Sequence, residues 1–225
     1  MTVRWNAVAW PRSHSDTWSI NQDNQAGRDR GLYESRAAEL VGRRVLEVAY
    51  RDVHNVADEP RTWDYGDWHH AVMGVDLLTD GGPSCVLWAD TFFAYGVVVF
   101  PATPAADHVV AGDDGSESWS VSRSDCWRDR LGSPVQDVQT FWERFTIGAG
   151  YVGNARVADA CEVDVPVALR IDFRAGPVWM VAGIPQEPQM QEVFVPGDEV
   201  MIVFTADRMR QIGFPDSEFL ATSEP

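Results

Sequence analysis

Apolar positions along this chain come in runs of strand length. Over residues 72–79, Met73, Val75 and Leu77 fall on one side while Val72 and Leu78 flank Asp76 on the other. That pattern predicts a strand buried on one face and half covered on the other. Asp80-Gly81-Gly82-Pro83 follows as a tight turn, its glycines supplying positive φ, and the runs 85–88 and 95–100 continue as antiparallel neighbours. About a hundred residues later the plan returns: 165–173, the turn Ala175-Gly176-Pro177, then 178–182 and 199–204.

Ahead of each meander the pattern predicts a short helix and a stop. Ser35 as N-cap, the helix formers Ala37 and Ala38, and Gly42 define a helix over 35–41; Asp125 and Gly132 bracket a second over 126–131. Leu131-Gly132-x-x-Val135-x-x-Val138 then copies Val41-Gly42-x-x-Val45-x-x-Val48. Residues 45–53 read as strand. For 135–145 two signals compete: Ser133-Pro134 with Gln136 has the form of a helix start, and Val135, Val138, Phe141, Trp142 and Phe145 have helical spacing. The repeat and the propensity of Thr140, Phe141 and Trp142 favour a strand, which is the expectation adopted. Residues 54–67 form a loop that delivers Trp63, Trp68, His69 and His70 to the next strand's edge. A helical turn at 105–111, a strand at 119–122, a helix at 207–212 stopped by Gly213, and an acidic tail complete the chain.

These elements predict an α+β fold, mainly antiparallel β, in which two repeated helix-plus-meander units pack as one sandwich or barrel-like body. Residues 1–34 are an N-terminal aromatic arm bearing Trp5, Trp10 and Trp18; residues 35–115 form the first β-rich repeat and 116–225 the second. Neither half has enough strands to cover both faces of a sheet, so a single cooperative unit is expected. This helix-Gly-x-x-Val start followed by a Gly-rich hairpin, twice over, resembles a diffuse group of uncharacterised duplicated β-rich proteins from high-GC Gram-positive bacteria. The resemblance implies the duplication and no catalytic residue.

Composition removes several mechanisms. At 225 residues and 45% apolar, the chain is ample for a continuous core. No apolar stretch approaches the roughly 18 to 20 residues of a membrane span, and no apolar region follows Met1 in the manner of a signal peptide, so no membrane association and a cytoplasmic location are expected. All 18 basic residues are arginine. Without lysine, Walker-type nucleotide hydrolysis and imine chemistry through the protein are excluded. Against them stand 34 carboxylates, a net charge of -16 that disfavours nucleic acid and fits a surface that attracts a basic partner, one that imitates a polyanion, or one that serves solubility alone. Cys85, Cys126 and Cys161 form no Cys-x-x-Cys pair, suggesting buried thiols rather than a disulfide or metal framework.

Two constellations could carry chemistry. Gly148-Ala149-Gly150-Tyr151-Val152-Gly153 is a G-x-G-x-x-G that resembles the dinucleotide-binding fingerprint of Rossmann oxidoreductases, with residues 154–161 as the following helix and Asp172 as the ribose-binding acid. Gly148, Gly150, Gly153 and Asp172 are its cofactor-binding candidates. The resemblance fails after about thirty residues because the remaining chain reads as antiparallel β, so a flexible loop is the simpler account and no cofactor is expected. The second constellation joins Trp63, Tyr65, Asp67, Trp68, His69 and His70. Adjacent strand histidines point to opposite faces, so one of His69 and His70 enters a pocket, where a carboxylate such as Asp67 makes it a candidate acid/base. Trp63, Trp68, Trp119 and Tyr65 are the candidate contacts to a ligand or partner. No spacing in the sequence supports a metal site.

The expectation is therefore a cytoplasmic, non-enzymatic interaction protein whose acidic, tryptophan-bearing surface engages a basic partner, as an immunity or inhibitor protein would. The alternative is a domain that binds an apolar small molecule, or a cofactor-free enzyme, with a Trp/His pocket between the repeats; a dinucleotide-dependent oxidoreductase is the remote third reading.

Overall fold

The computed structural model describes residues 30–53, 62–90, 95–108, 116–147, 150–152, 155–157, 161–186 and 192–215. Helix α1 (Arg30–Ala38) opens it, burying Tyr33 and Ala37. It begins at Arg30 rather than Ser35; Ser35 lies inside the helix with Oγ donating to Leu32 O at 2.9 Å, so it is not the N-cap. Gly42, at φ +81°, turns the chain into β1 (Val45–Val53), the strand the alternation predicts.

The expected strand over 72–79 is broken. It divides into β2 (Trp68–Val72) and β3 (Gly74–Thr79), with Val72 at φ +56° between them. Positive φ is costly for a β-branched residue and marks a place where tertiary pairing overrides local preference. Gly74 completes the bend, since a Cβ there would lie 2.5 Å from Val86 O. The hairpin to β4 (Gly82–Asp90), turning at Gly82 (φ +110°), and β5 (Tyr95–Phe100) follow as expected. The predicted helical turn at 105–111 is a 3-10 turn over Ala105–Asp107; Gly112 to Gly115 lie outside the described residues.

Strand β6 (Ser116–Ser120) and helix α2 (Asp125–Arg128), whose N-cap position is Ser124, lead to Gly132 at φ +73°. The next element, β7 (Asp137–Ile147), is a strand, so the competing helical spacing of Val135 to Phe145 is overruled by pairing with β10 (Cys161–Phe173). Between them β8 (Gly150–Val152) and β9 (Ala155–Val157) form an antiparallel hairpin. Where a dinucleotide fold needs a helix after the glycines, the chain therefore carries a strand; Gly148 and Gly153 lie outside the described residues. Strands β11 (Gly176–Ala182), β12 (Ile184–Pro185), β13 (Val193–Phe194) and β14 (Val200–Val203) precede helix α3 (Ala206–Gln211), capped by Thr205 Oγ1, which accepts from Arg208 N–H. The acidic tail beyond residue 215 lies outside the described residues, as does the arm before residue 30.

A single ten-stranded sheet organises the molecule, in the order β5-β4-β3-β1-β2-β14-β11-β10-β7, with β6 pairing β1. Neighbours are antiparallel except β1 and β2, which meet in parallel through Arg51 and Val72. The sheet curls into a half-barrel and does not split into the two sheets of a sandwich. Strand β5 packs on β10, and Gly96 permits the approach: a Cβ there would sit 2.8 Å from Pro166 O. One large core, including Leu40, Val48, Tyr50, Trp127, Ile171 and Ile202, lies on one side of the sheet. A second, including Trp68, Phe141, Trp179, Met201 and Met209, lies on the other, under α3. Among the described residues no helix is long and apolar enough to cross a membrane.

Two four-strand antiparallel runs, β5-β4-β3-β1 and β14-β11-β10-β7, meet at β2. The backbone also links the two strand starts: Gly42 N–H donates to Val135 O and Gly132 N–H to Val45 O, both at 2.8 Å.

Candidate functional site

The bend at Val72 carries β2 away from β3 and lays it against β14, with His69 opposite Ile202 and His70 opposite Met201. Alternation along β2 then sends the two histidines to opposite faces, as the sequence predicts. Each meets its own carboxylate, and neither is hydrogen-bonded to Asp67. His70 Nε2 lies 2.7 Å from Glu199 Oε2, while His69 Nε2 lies 3.5 Å from Asp64 Oδ1. Asp67 instead accepts from Thr205 Oγ1 at 3.4 Å, and its carbonyl accepts from Phe204 N–H at 3.0 Å.

His69 is 0% exposed and ends a buried polar line. Trp127 Nε1–H donates to Tyr50 Oη at 2.7 Å, and Tyr50 Oη lies 2.7 Å from His69 Nδ1. An indole N–H only donates, so Tyr50 oxygen is the acceptor there and its own hydrogen goes to Nδ1, its other partner. His69 is thereby held as the Nε2–H tautomer, with that hydrogen directed to the Asp64 side. Rings seal the line: Trp63 and Phe204 stand edge-on to His69 at 5.0 and 4.7 Å, and Trp63 and Trp119 flank Tyr50 at 5.8 and 6.1 Å. Trp119 reaches Tyr50 because β6 pairs β1 with these two residues in register.

Burial dominates the electrostatics. It pushes the His69 pKa down to about 4, with the Asp64 charge opposing, so the ring is neutral at pH 7. Burial also holds the Tyr50 hydroxyl well above its ordinary range, against the hydrogen bond from Trp127. The order carboxylate, imidazole, hydroxyl is that of an acid/base relay, but Tyr50 is 0% exposed as well, and no acceptor outside the protein reaches either group.

At the surface end of this line is the turn 64–67. Asp64 is half exposed and its Oδ1 accepts Gly66 N–H at 2.9 Å. Tyr65 stacks on Trp68 with centroids 4.2 Å apart and planes 2° from parallel, and the Arg208 guanidinium lies 5.1 Å from the Trp68 ring. Cys126 Sγ donates to Gly66 O, tying α2 to the turn. Burial raises its thiol pKa despite Arg130, and Asp64, Asp125 and Asp67 raise it further, which excludes a reactive thiolate at neutral pH. Cys85 is fully buried, its pKa also raised by burial.

None of the described tryptophans is exposed: Trp68, Trp127 and Trp179 are buried and Trp63, Trp88, Trp119 and Trp142 half-buried. Three of the expected contact residues, Trp63, Trp119 and Tyr65, are therefore half-buried, and Trp68 is buried beneath Tyr65. Asp172 is held by Arg170 Nε at 2.7 Å, an ion pair between residues two apart on β10. Among the described residues no group of His, Cys, Asp or Glu could hold a metal ion. The sequence reading missed Tyr50, Trp127 and Glu199, which carry no motif; only the strand pairing brings them to the histidines.

No family model matches the chain, and neither a characterised protein nor a solved structure is significantly similar to it.

Proposed function

We propose that this chain is a non-enzymatic interaction protein whose acidic surface engages a basic protein partner, in the manner of an immunity or inhibitor protein. One observation carries this reading. The histidine best placed for catalysis, His69, is fully enclosed and its Nδ1 is occupied by Tyr50, while the carboxylates at the same end, Asp64 and Asp67, are exposed. A net charge of -16 supplies the long-range attraction and the turn 64–67 supplies fixed geometry. Titration calorimetry against a panel of purified basic and acidic proteins of similar size, at low and physiological salt, tests it. Saturable binding confined to basic members and weakened by salt is expected; indifference to partner charge sinks the reading.

The alternative, a small-molecule or acid/base site, draws on one specific feature: the His70–Glu199 pair, in which Glu199 is 27% exposed by its side chain. Turnover or ligand binding lost in His70→Gln with the fold intact would replace the interaction reading.

We also propose that the two four-strand runs descend from one repeated helix-plus-meander unit, of residues 35–115 and 116–225, as the resemblance to duplicated proteins implies. The reciprocal hydrogen bonds between Gly42 and Val135 and between Gly132 and Val45 support this, as do the matching glycines Gly82 and Gly176 at φ +110° and +111° in the hairpins. Exchanging the segments 41–45 and 131–135 should then leave the melting temperature nearly unchanged, and unfolding of the chimaera would count against it.

A further inference from the structure

We propose that the turn 64–67 is the receptor for an arginine side chain of the basic partner, with Asp64 and Asp67 taking the guanidinium. This rests on the interaction reading above and specifies where and how it acts.

The two carboxylates have a particular standing at this end of the sheet. Their neighbours on α2 and α3 are already neutralised, Asp125 by Arg128 and Asp207 by Arg210. Neither Asp64 nor Asp67 has an arginine within ion-pair distance among the described residues, and Asp64 Oδ2 accepts no hydrogen bond from them. Both are exposed, so a cation reaches them without displacing the protein. A planar guanidinium donates paired N–H groups to flanking carboxylates, a match that a compact ammonium does not make.

An independent observation comes from beneath the turn. His69 Nε2 is 0% exposed, has no hydrogen-bond partner, and faces Asp64 Oδ1 from 3.5 Å, just beyond bonding distance. A buried donor left short of its acceptor is costly, and a small inward movement of Asp64 completes the bond. Asp64 drawn against a guanidinium and settled on His69 satisfies both groups together. The buried line from Trp127 through Tyr50 fixes which nitrogen carries the hydrogen and so fixes the donor.

The test titrates the full chain with an arginine-rich peptide, its lysine counterpart and its citrulline counterpart, following tryptophan fluorescence and the His69 Nε2–H proton resonance. The arginine peptide is expected to bind with about tenfold preference over lysine and to leave citrulline unbound, sharpening the Nε2–H resonance and moving it downfield. Asp64→Asn with Asp67→Asn should weaken binding about tenfold, while Glu34→Gln with Glu39→Gln, an equal change of charge at α1, should weaken it less than twofold. Equal loss in both pairs, or equal affinity for arginine and lysine, overturns the receptor and leaves the general attraction standing. No binding of any cationic peptide by the wild type overturns the interaction reading itself. Self-association that the Asp64/Asp67 pair of substitutions abolishes, measured by sedimentation, assigns the turn to a second copy of this chain and likewise overturns the proposal.

Discussion

Tyr50→Phe isolates the buried polar line with the smallest possible change. The ring stays, with its edge-on contacts to Trp63, Trp119 and His69, and only the hydroxyl is lost. That oxygen accepts from Trp127 Nε1 and donates to His69 Nδ1, and all three residues are buried, so a donor and an acceptor are orphaned together. Each orphaned buried group costs ~1 to 3 kcal/mol, and partial relaxation brings the pair to about 2 to 5 kcal/mol. Urea denaturation at pH 7 measures it. Tyr65→Phe, whose hydroxyl donates to Thr62 O at an exposed site, is the matched control and should fall within about 0.5 kcal/mol of wild type. Nitrogen-15 spectra add a second reading: wild-type His69 should carry its hydrogen on Nε2, and the variant should lose that preference. A cost for Tyr50→Phe below about 1 kcal/mol, or a wild-type hydrogen on Nδ1, would refute the direction assigned to the line.

The remaining predictions concern pH and backbone. His69 has an ordinary pKa of 6.5 and about 4 in the fold, so between those values the unfolded chain binds a proton that the native chain does not. Its contribution to stability is therefore whole above pH 6.5 and declines as pH falls to 4, by up to about 3 kcal/mol, and His69→Gln should flatten that part of a urea-midpoint profile against pH. Gly42→Ala and Gly74→Ala separate strain from collision. Gly42 has open space, so φ +81° alone sets a cost of about 1 kcal/mol, whereas Gly74 adds a collision with Val86 O and should cost at least twice as much in thermal melts. Equal costs would show that β4 moves freely at Val86.

The sequence makes legible what depends on local order. Short apolar runs and turn glycines locate β1, β4, β5, β10 and β11, because alternation and positive φ are properties of neighbouring residues. It places the histidines on opposite faces for the same reason. What it misses is long-range. The break at Val72 lies within a run whose own preference is a continuous strand, and the partner that β2 gains there, β14, is remote in the chain. Tyr50, Trp127 and Glu199 stand far from His69 and His70 in the chain, so their pairing depends on sheet order. Trp63 and Trp119, expected as contacts, are half-buried against Tyr50, a neighbour that only the folded sheet provides. The G-x-G-x-x-G shows the reverse error, a motif whose chemistry requires a helix in a place where Ala155–Val157 pairs back on Gly150–Val152.

The Val72 bend also explains why the buried line and the acidic turn occur together. In the β10 strand the corresponding irregularity falls between Pro166 and Ala168, and both sides of it remain paired to β7. In the first run the segment before the irregularity leaves: β2 crosses to β14, keeping only Arg51 opposite Val72 on β1, while β6 pairs the other side of β1 from Ala49 onward. This arrangement brings residues from four separate segments, Tyr50, His69, Trp119 and Trp127, to one point, joined by hydrogen bonds and ring contacts. The chain ahead of β2 turns at 64–67, leaving Asp64 and Asp67 exposed and Asp64 against His69. A strained residue persists only where the surrounding structure over-determines its conformation. Val72→Gly should then relieve the φ penalty at the cost of a buried side chain, and its informative result is the His69 resonance: unchanged if strand pairing alone maintains the bend, broadened if Val72 packing is what keeps β2 against β14.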